Sequence, residues 1–92
     1  MDLAVSKYLD KKLRKRHITK SMVERFFRSF QVIAQTEQLN VFDIKKLKTN
    51  KGDYFRLRIG NYRGIFKIEG NVLVIEDIEV RGDVYKQWAR NQ

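Results

Sequence analysis

The stretch from Tyr54 to Lys67 constrains this chain more than any other, because it reads as two short strands around a turn. Bulky apolar and basic residues alternate in YFRLRI and again in YRGIFK, and Gly60-Asn61 separates the two runs. A two-residue loop that begins with glycine, between two alternating runs, is typical of a β-hairpin. The sequence therefore predicts a hairpin that turns at Gly60-Asn61.

Pairing across this turn decides which side chains share a face. Opposed residues of an antiparallel pair lie on the same face of the sheet, and Ile59 and Tyr62 would form the first pair. The predicted core face contains Phe55, Leu57, Ile59, Tyr62, Gly64 and Phe66. The opposite face, called the arginine face below, contains Tyr54, Arg56, Arg58, Arg63, Ile65 and Lys67. Like charges side by side destabilise a sheet, so three neighbouring arginines indicate a site for an anion.

A third strand follows the hairpin. A turn at Gly70-Asn71 leads into the apolar run 72–80, in which the alternation changes parity halfway and would bury Asp77. A β-bulge near Glu76-Asp77 restores the alternation by adding one residue. The same bulge would bring Arg81 onto the arginine face.

The N-terminal half predicts two helices joined by a short loop. Residues 6–16 place Leu9 and Leu13 four positions apart within a basic run, as a short amphipathic helix does. Residues 21–38 repeat apolar side chains at intervals of three and four, and Ser21 with Glu24 matches a capping box at the start. The apolar stripe comprises Val23, Phe26, Phe27, Phe30, Ile33 and Ala34. Its size predicts that the second helix packs on the core face of the sheet.

The remaining segments are less regular. Residues 2–5 fit either a short edge strand or the frayed start of the first helix, residues 39–51 form a mixed connector with exposed lysines, and residues 84–88 fit a short helix or tail. We therefore expect one α+β domain over residues 1–92. In it, an N-terminal helical hairpin packs on an antiparallel sheet of three to four strands, and a short C-terminal helix follows.

Charge and composition restrict the partners. The net charge is +9, and residues 69–80 carry four acids and no base, so the positive charge is concentrated elsewhere. A local excess of positive charge favours an acidic partner such as a nucleic acid or an acidic protein. The chain has no cysteine and one histidine, so we expect no disulfide, metal or other cofactor. No apolar run of signal-peptide length begins the sequence, and we expect a cytoplasmic protein without a membrane partner.

The arginine face suits RNA in particular. Guanidinium groups bind phosphate oxygens in a bidentate manner, and aromatic rings stack on unpaired bases. The residues expected to contact RNA around the arginines are Lys48, Lys51, Tyr54 and Lys67. The simpler alternative is that the arginines pair with Glu76 and Glu79 or face water.

The sequence from Leu57 to Lys86 resembles the RelE/ParE family of bacterial toxins from type II toxin–antitoxin modules. The family's Gly-x-Tyr-Arg corresponds here to Gly60, Tyr62 and Arg63, and its closing Arg-x-x-x-Tyr to Arg81 and Tyr85. The resemblance implies a cognate antitoxin partner and, for the RelE branch, metal-independent mRNA cleavage on the ribosome with the ribose 2′-hydroxyl as nucleophile. Contacts to ribosomal RNA would accompany that activity.

The resemblance also implies a set of catalytic residues: Arg56, Arg58, Arg63, Arg81 and Tyr85. RelE relatives carry lysines where this chain has Arg56 and Arg58. Because an arginine effectively never loses its proton, these two side chains would stabilise charge. Proton transfer would fall to Tyr85, Tyr54 or Tyr62, or to groups of the ribosome.

Three alternatives stay open on the sequence. The ParE branch shares the fold and the hairpin motif but inhibits DNA gyrase. A non-catalytic homologue that binds the antitoxin, or a small basic RNA- or DNA-binding module without toxicity, would have a similar composition.

Overall fold

The chain folds into two helices and one five-stranded sheet in a computed structural model that describes residues 1–15 and 18–80. The elements in chain order are β1 (Asp2–Val5), α1 (Lys7–Arg14), α2 (Lys20–Thr36), β2 (Ile44–Thr49), β3 (Gly52–Ile59), β4 (Tyr62–Glu69) and β5 (Val72–Val80). The strand order in the sheet is β1-β5-β4-β3-β2. The C-terminal helix or tail predicted at 84–88 lies outside the described residues, as do Arg81 and Tyr85. Within the described ranges, neither helix has the length and hydropathy needed to cross a bilayer.

The α+β class is confirmed, but the predicted sheet of three to four antiparallel strands is wrong in two respects. Residues 2–5 form a true edge strand, which pairs in parallel with β5 from Asp2 opposite Val72 onward, so the sheet is mixed. Residues 44–49, expected within a connector, form β2 and pair antiparallel with β3. The IKKLKT sequence of β2 does not indicate a strand, because its lysines lie on both faces and interrupt the alternation of apolar and polar residues. Lysines are common on edge strands, where they oppose aggregation.

The hairpin and the bulge are both confirmed. The pairs run from Ile59 opposite Tyr62 to Phe55 opposite Phe66, the register predicted from the Gly60-Asn61 turn. On the next strand pair, Ile65 lies opposite Asp77 and Phe66 opposite Ile75, so Glu76 is the extra residue. The alternation therefore shifts at Glu76, and Ile78 lies fully buried in the core.

The stripe of α2 packs on the core face, as predicted. Phe26, Phe30 and Ile33 are fully buried, and the Phe30 ring meets the Phe66 ring edge-on with centroids 5.3 Å apart. A Cβ atom at Gly64 would lie 2.9 Å from the Phe26 ring. The helix can approach the centre of the sheet this closely because position 64 has no side chain.

The residues that cap the N-termini of the two helices differ in one case from the prediction. Ser6 caps α1, and its hydroxyl accepts a hydrogen bond from Leu9 N at 3.0 Å. Thr19, not Ser21, caps α2, with its hydroxyl 3.4 Å from Met22 N. The predicted capping box is therefore wrong, because the hydroxyl of Thr19, whose backbone is extended, already supplies the acceptor two residues earlier.

Candidate functional site

The arginine face is formed by three adjacent strands. Arg58 on β3 lies opposite Arg63 on β4, and Glu79 on β5 lies opposite Arg63 on its other side. In the next row, Arg56, Ile65 and Asp77 lie side by side. The structure thus brings Arg56, Arg58 and Arg63 together, as strand parity predicted.

A carboxylate that sequence reasoning missed holds two of these arginines. Arg56 Nη2 donates to Asp43 Oδ1 at 2.9 Å, and Arg58 Nε donates to Asp43 Oδ2 at 2.7 Å. The backbone N–H of Arg58 also donates to the Asp43 carbonyl at 3.0 Å. Asp43 lies just before β2, a strand that the sequence did not reveal, so its position beside β3 could not be foreseen. One carboxylate thus receives two guanidinium groups, in charge-assisted hydrogen bonds of the kind that phosphate oxygens also accept.

The sequence left open that the arginines pair with Glu76 and Glu79. Two of the arginines do pair with an acid, but that acid is Asp43. Glu76 accepts from Lys67, at 3.3 Å, and Glu79 pairs with Lys12. Arg56 Nε is buried and has no hydrogen-bond partner within residues 1–15 and 18–80. That donor adds to the anion-binding character of the face.

Arg63 differs from the other two arginines. Among the residues that the structure describes, no carboxylate forms an ion pair with its guanidinium, although the side chain is partly buried. Its cross-strand neighbour Glu79 is directed to Lys12 instead. Arg63 is consequently the cation of the hairpin with the least competition for an incoming anion.

A buried ion pair connects α1 to the same face. Lys12 Nζ lies 3.1 Å from Asp77 Oδ1 and also contacts Glu79 Oε2. The Asp77 side chain is 4% exposed and also accepts from Ile78 N at 2.8 Å. Burial raises the pKa of the Asp77 carboxyl, although the hydrogen bond from Lys12 opposes that shift. Burial alone would lower the pKa of Lys12, but its hydrogen bonds to Glu79 and Asp77 raise it overall, so the ammonium stays charged.

The tyrosines are not placed as expected. Tyr54 is 5% exposed and forms a small apolar cluster with Leu47 and Ile65 within the arginine face. Its ring is therefore not available for stacking on a base in this structure. Tyr62 packs against the main core on the opposite face of the sheet. Tyr62 thus lies on the other side of the sheet from the arginines, whereas Tyr54 shares their face but is buried.

The lysines predicted to contact RNA are also separated. Lys48 lies opposite Asp53 on β3, in register with the core-face residues, so it is directed away from the arginine face. Lys45 lies opposite Arg56 and is the β2 lysine that shares the arginine face. Lys51 is exposed in the turn before β3. Lys67 lies on the arginine face, but it pairs with Glu69 at 2.6 Å as well as with Glu76.

Two solved structures share this arrangement of elements. A chain of the RelB–RelE antitoxin–toxin complex from Methanococcus jannaschii superposes with a TM-score of 0.71 and 24% identity, over 92% of this chain and 98% of that chain. The RelE–RelB complex from Pyrococcus horikoshii OT3 gives a TM-score of 0.69 and 24% identity, over 89% and 96% of the two chains. No family model matches the sequence, and no curated protein matches it either.

These likenesses define the class of fold. Both extend over nearly the whole of this chain and of the chains it matches, so the chain has the RelE-like α+β fold. The RelE-like α+β fold implied by the resemblance over Leu57 to Lys86 is thereby confirmed, with five strands in the described sheet instead of three to four. At 24% identity the likeness stops at the fold, and the function is argued from the site.

Proposed function

We propose that this protein is the toxin of a type II toxin–antitoxin module and that it cleaves mRNA on the ribosome in the cytoplasm, without a metal. The observation that carries the proposal is the clustering of Arg56, Arg58 and Arg63 on adjacent strands of a RelE-like fold. Such a cluster suits the phosphodiester of RNA, and phosphate–arginine pairs are strong and directional.

The proposed reaction is an attack of the ribose 2′-oxygen on the adjacent phosphorus. The new 2′-O–P bond forms as the P–O5′ bond breaks, through a pentacoordinate phosphate that carries extra negative charge. Arg63 stabilises this charge, since a fixed cation beside developing charge lowers the barrier. Arg56 and Arg58 bind the phosphate after it replaces the Asp43 carboxylate. Arg81 remains a further proposed cation from the family resemblance.

Proton transfer needs groups other than arginine. We propose that a group of the ribosome accepts the 2′-hydroxyl proton, because Glu79, the cross-strand neighbour of Arg63, is held by Lys12. Tyr85, proposed from the resemblance, supplies a proton to the leaving 5′-oxygen or stacks on a base.

A cognate antitoxin is the second partner in this proposal. The two structural relatives are complexes of RelE with RelB, an antitoxin. For a chain of net charge +9, an acidic antitoxin segment over the arginine face would neutralise charge and exclude RNA from it. The expected carboxylate contacts are those that Asp43 already makes within the chain.

Inducible expression in a bacterial host tests the function. Growth should stop on induction, and primer extension should show breaks within translated codons. Arg63→Ala should abolish both effects while circular dichroism shows an unchanged fold. Arg14→Ala is the matched control, because Arg14 is an exposed arginine on α1 that pairs with Asp10.

Other outcomes separate the alternatives. Growth arrest with intact mRNA and an induced DNA-damage response would instead indicate gyrase inhibition of the ParE type. Unaffected growth would refute both toxin hypotheses. Full toxicity of the Arg63→Ala variant would refute the role of the arginine face.

A further inference from the structure

One side of α1 carries an exposed aromatic ring among lysines. Tyr8, Lys11, Lys12 and Lys15 are spaced as i, i+3, i+4 and i+7, which places them on one helix face. These four residues and Glu79 line a groove of about 300 Å³, called the α1 groove below. Tyr8 is 60% exposed, so its ring can be reached from solvent.

The helix is fixed in place, so the groove has a defined position. Leu9 is fully buried in the core, and Lys12 is bound to Asp77 and Glu79 on β5. Lys11 and Lys15 remain exposed four residues apart, where like charges destabilise a helix. The carboxylate that lines the groove, Glu79, is already engaged by Lys12. The groove therefore keeps the positive charge of Lys11 and Lys15 beside an exposed ring, and Lys12 Nζ lies 5.9 Å from the centre of that ring.

The groove is continuous with the arginine face. Glu79, which lines the groove, is also the cross-strand neighbour of Arg63. Neighbouring strands lie about 4.8 Å apart, so a phosphate at Arg63 is one strand away from the groove wall. A nucleic-acid strand bound at Arg63 can continue over β5 to α1 without crossing an unpaired acid of the described surface.

We propose that the α1 groove binds the single-stranded RNA that flanks the phosphate held at Arg63. Tyr8 stacks on one unpaired base, and Lys11 and Lys15 contact two backbone phosphates, a combination typical of single-strand binding. Duplex RNA does not fit this mode, because its bases are stacked on one another and closed to Tyr8. The inference rests on the proposed function and assigns a second contact region to it.

Fluorescence anisotropy on the purified chain tests the groove. The probe is a labelled 12-nucleotide oligouridylate with 2′-O-methyl riboses, which the proposed reaction cannot cleave, titrated at several salt concentrations. Tyr8→Ala should weaken binding about fivefold or more with an unchanged salt slope, as expected for loss of one stacked base. Lys11→Gln/Lys15→Gln should lower the slope of log K against log salt by about 1.4, or about 0.7 for each lost phosphate contact.

Matched controls make the result decisive. Arg14→Gln/Lys7→Gln removes two positive charges from α1 outside the groove lining and should leave the slope nearly unchanged. A 12-base-pair RNA duplex should bind the wild type and the Tyr8→Ala variant equally. The inference is overturned if the groove variants behave like this control, or if polyglutamate of equal charge displaces the RNA as well as unlabelled oligouridylate does, since the groove would then suit an acidic protein.

Failure of the groove can be told apart from failure of the proposed function by Arg63→Ala in the same assay. If Arg63→Ala weakens RNA binding and the groove variants do not, the arginine-face proposal stands and the groove inference falls. If only the groove variants weaken binding, the RNA interface lies on α1 and the arginine face is not its centre.

Discussion

Removing Lys12 should show how much the buried ion pair beside the arginine face contributes to the free energy of unfolding. In Lys12→Met, the Asp77 carboxylate keeps the hydrogen bond from Ile78 N at 2.8 Å but loses its cation while its side chain remains 4% exposed. Breaking a buried pair at one partner costs about 3–5 kcal/mol. We expect the lower end, about 3 kcal/mol at neutral pH, because the Ile78 hydrogen bond persists.

The effect should depend on pH with a definite sign. Burial raises the pKa of Asp77 in the folded state above its usual value of 3.8, and loss of Lys12 raises it further. Between the unfolded pKa of 3.8 and the raised folded pKa of Asp77, the folded state keeps a proton that the unfolded chain has released. The stability of the fold therefore falls as pH rises through this window. The penalty of Lys12→Met should therefore be small near pH 4 and reach its full size above the folded pKa of Asp77.

At alkaline pH the stability of the wild type should depend on the titration of Lys12, the other partner of the ion pair. The pKa of Lys12 is raised above 10.5 in the folded state, so its contribution to stability is complete below that value. It is lost as pH rises through the folded pKa, because the folded chain then releases its extra proton. Lys12→Met should lack this alkaline loss.

Urea unfolding followed by circular dichroism measures these differences. With a slope of about 1 kcal/mol per molar urea for a small domain, a loss of 3 kcal/mol moves the midpoint by roughly 3 M. Lys12→Met/Asp77→Asn should recover most of the loss, because the Asn oxygen can still accept from Ile78 N and no charge stays buried. Lys11→Met, at the exposed neighbour, is the control. A loss below about 1 kcal/mol, or a double variant no more stable than the single one, would refute the reasoning.

Three further predictions concern other parts of the fold. Gly64→Ala should destabilise by about 1–3 kcal/mol in urea unfolding, because its Cβ would meet the Phe26 ring at 2.9 Å. Glu37→Gly should stabilise by about 1 kcal/mol, because Glu37 ends α2 with φ of 57°, a conformation that is strained for a side chain. Asp43→Asn should tighten binding of the 2′-O-methyl oligouridylate, because Arg58 then faces no competing carboxylate. Unchanged affinity would show that Asp43 does not compete with phosphate.

The centre of the sheet could be predicted from the sequence because its information is local. The Gly60-Asn61 turn and the period-two alternation together set the hairpin register, and a break in that alternation indicated the bulge at Glu76. Each of these signals lies within a few residues of the feature that it specifies. The stripe of α2 was equally local, since three phenylalanines at helical spacing have one common face.

The positions of the residues around the three arginines could not be predicted in the same way. The register of β2 on β3 depends on a pairing between distant segments, and lysines on both faces of β2 conceal it. Without that register, Lys48 could not be distinguished from Lys45, nor could Asp43 be placed beside Arg58. The burial of Tyr54 was missed for a similar reason, because its partner Leu47 belongs to the same strand.

The arrangement of acids implies an order in which the arginine face meets an anion. Arg56 and Arg58 share the Asp43 carboxylate, so a phosphate must displace that carboxylate before it can bind them. Arg63 has no such competitor among the described residues, and Lys12 keeps Glu79 directed away from it. In the proposed function, first contact therefore falls on Arg63, and exchange at Asp43 follows. Because this exchange replaces one anion by another, the repulsion between Arg56 and Arg58 is relieved both before and after binding, whereas Arg63 gains an anion only on binding.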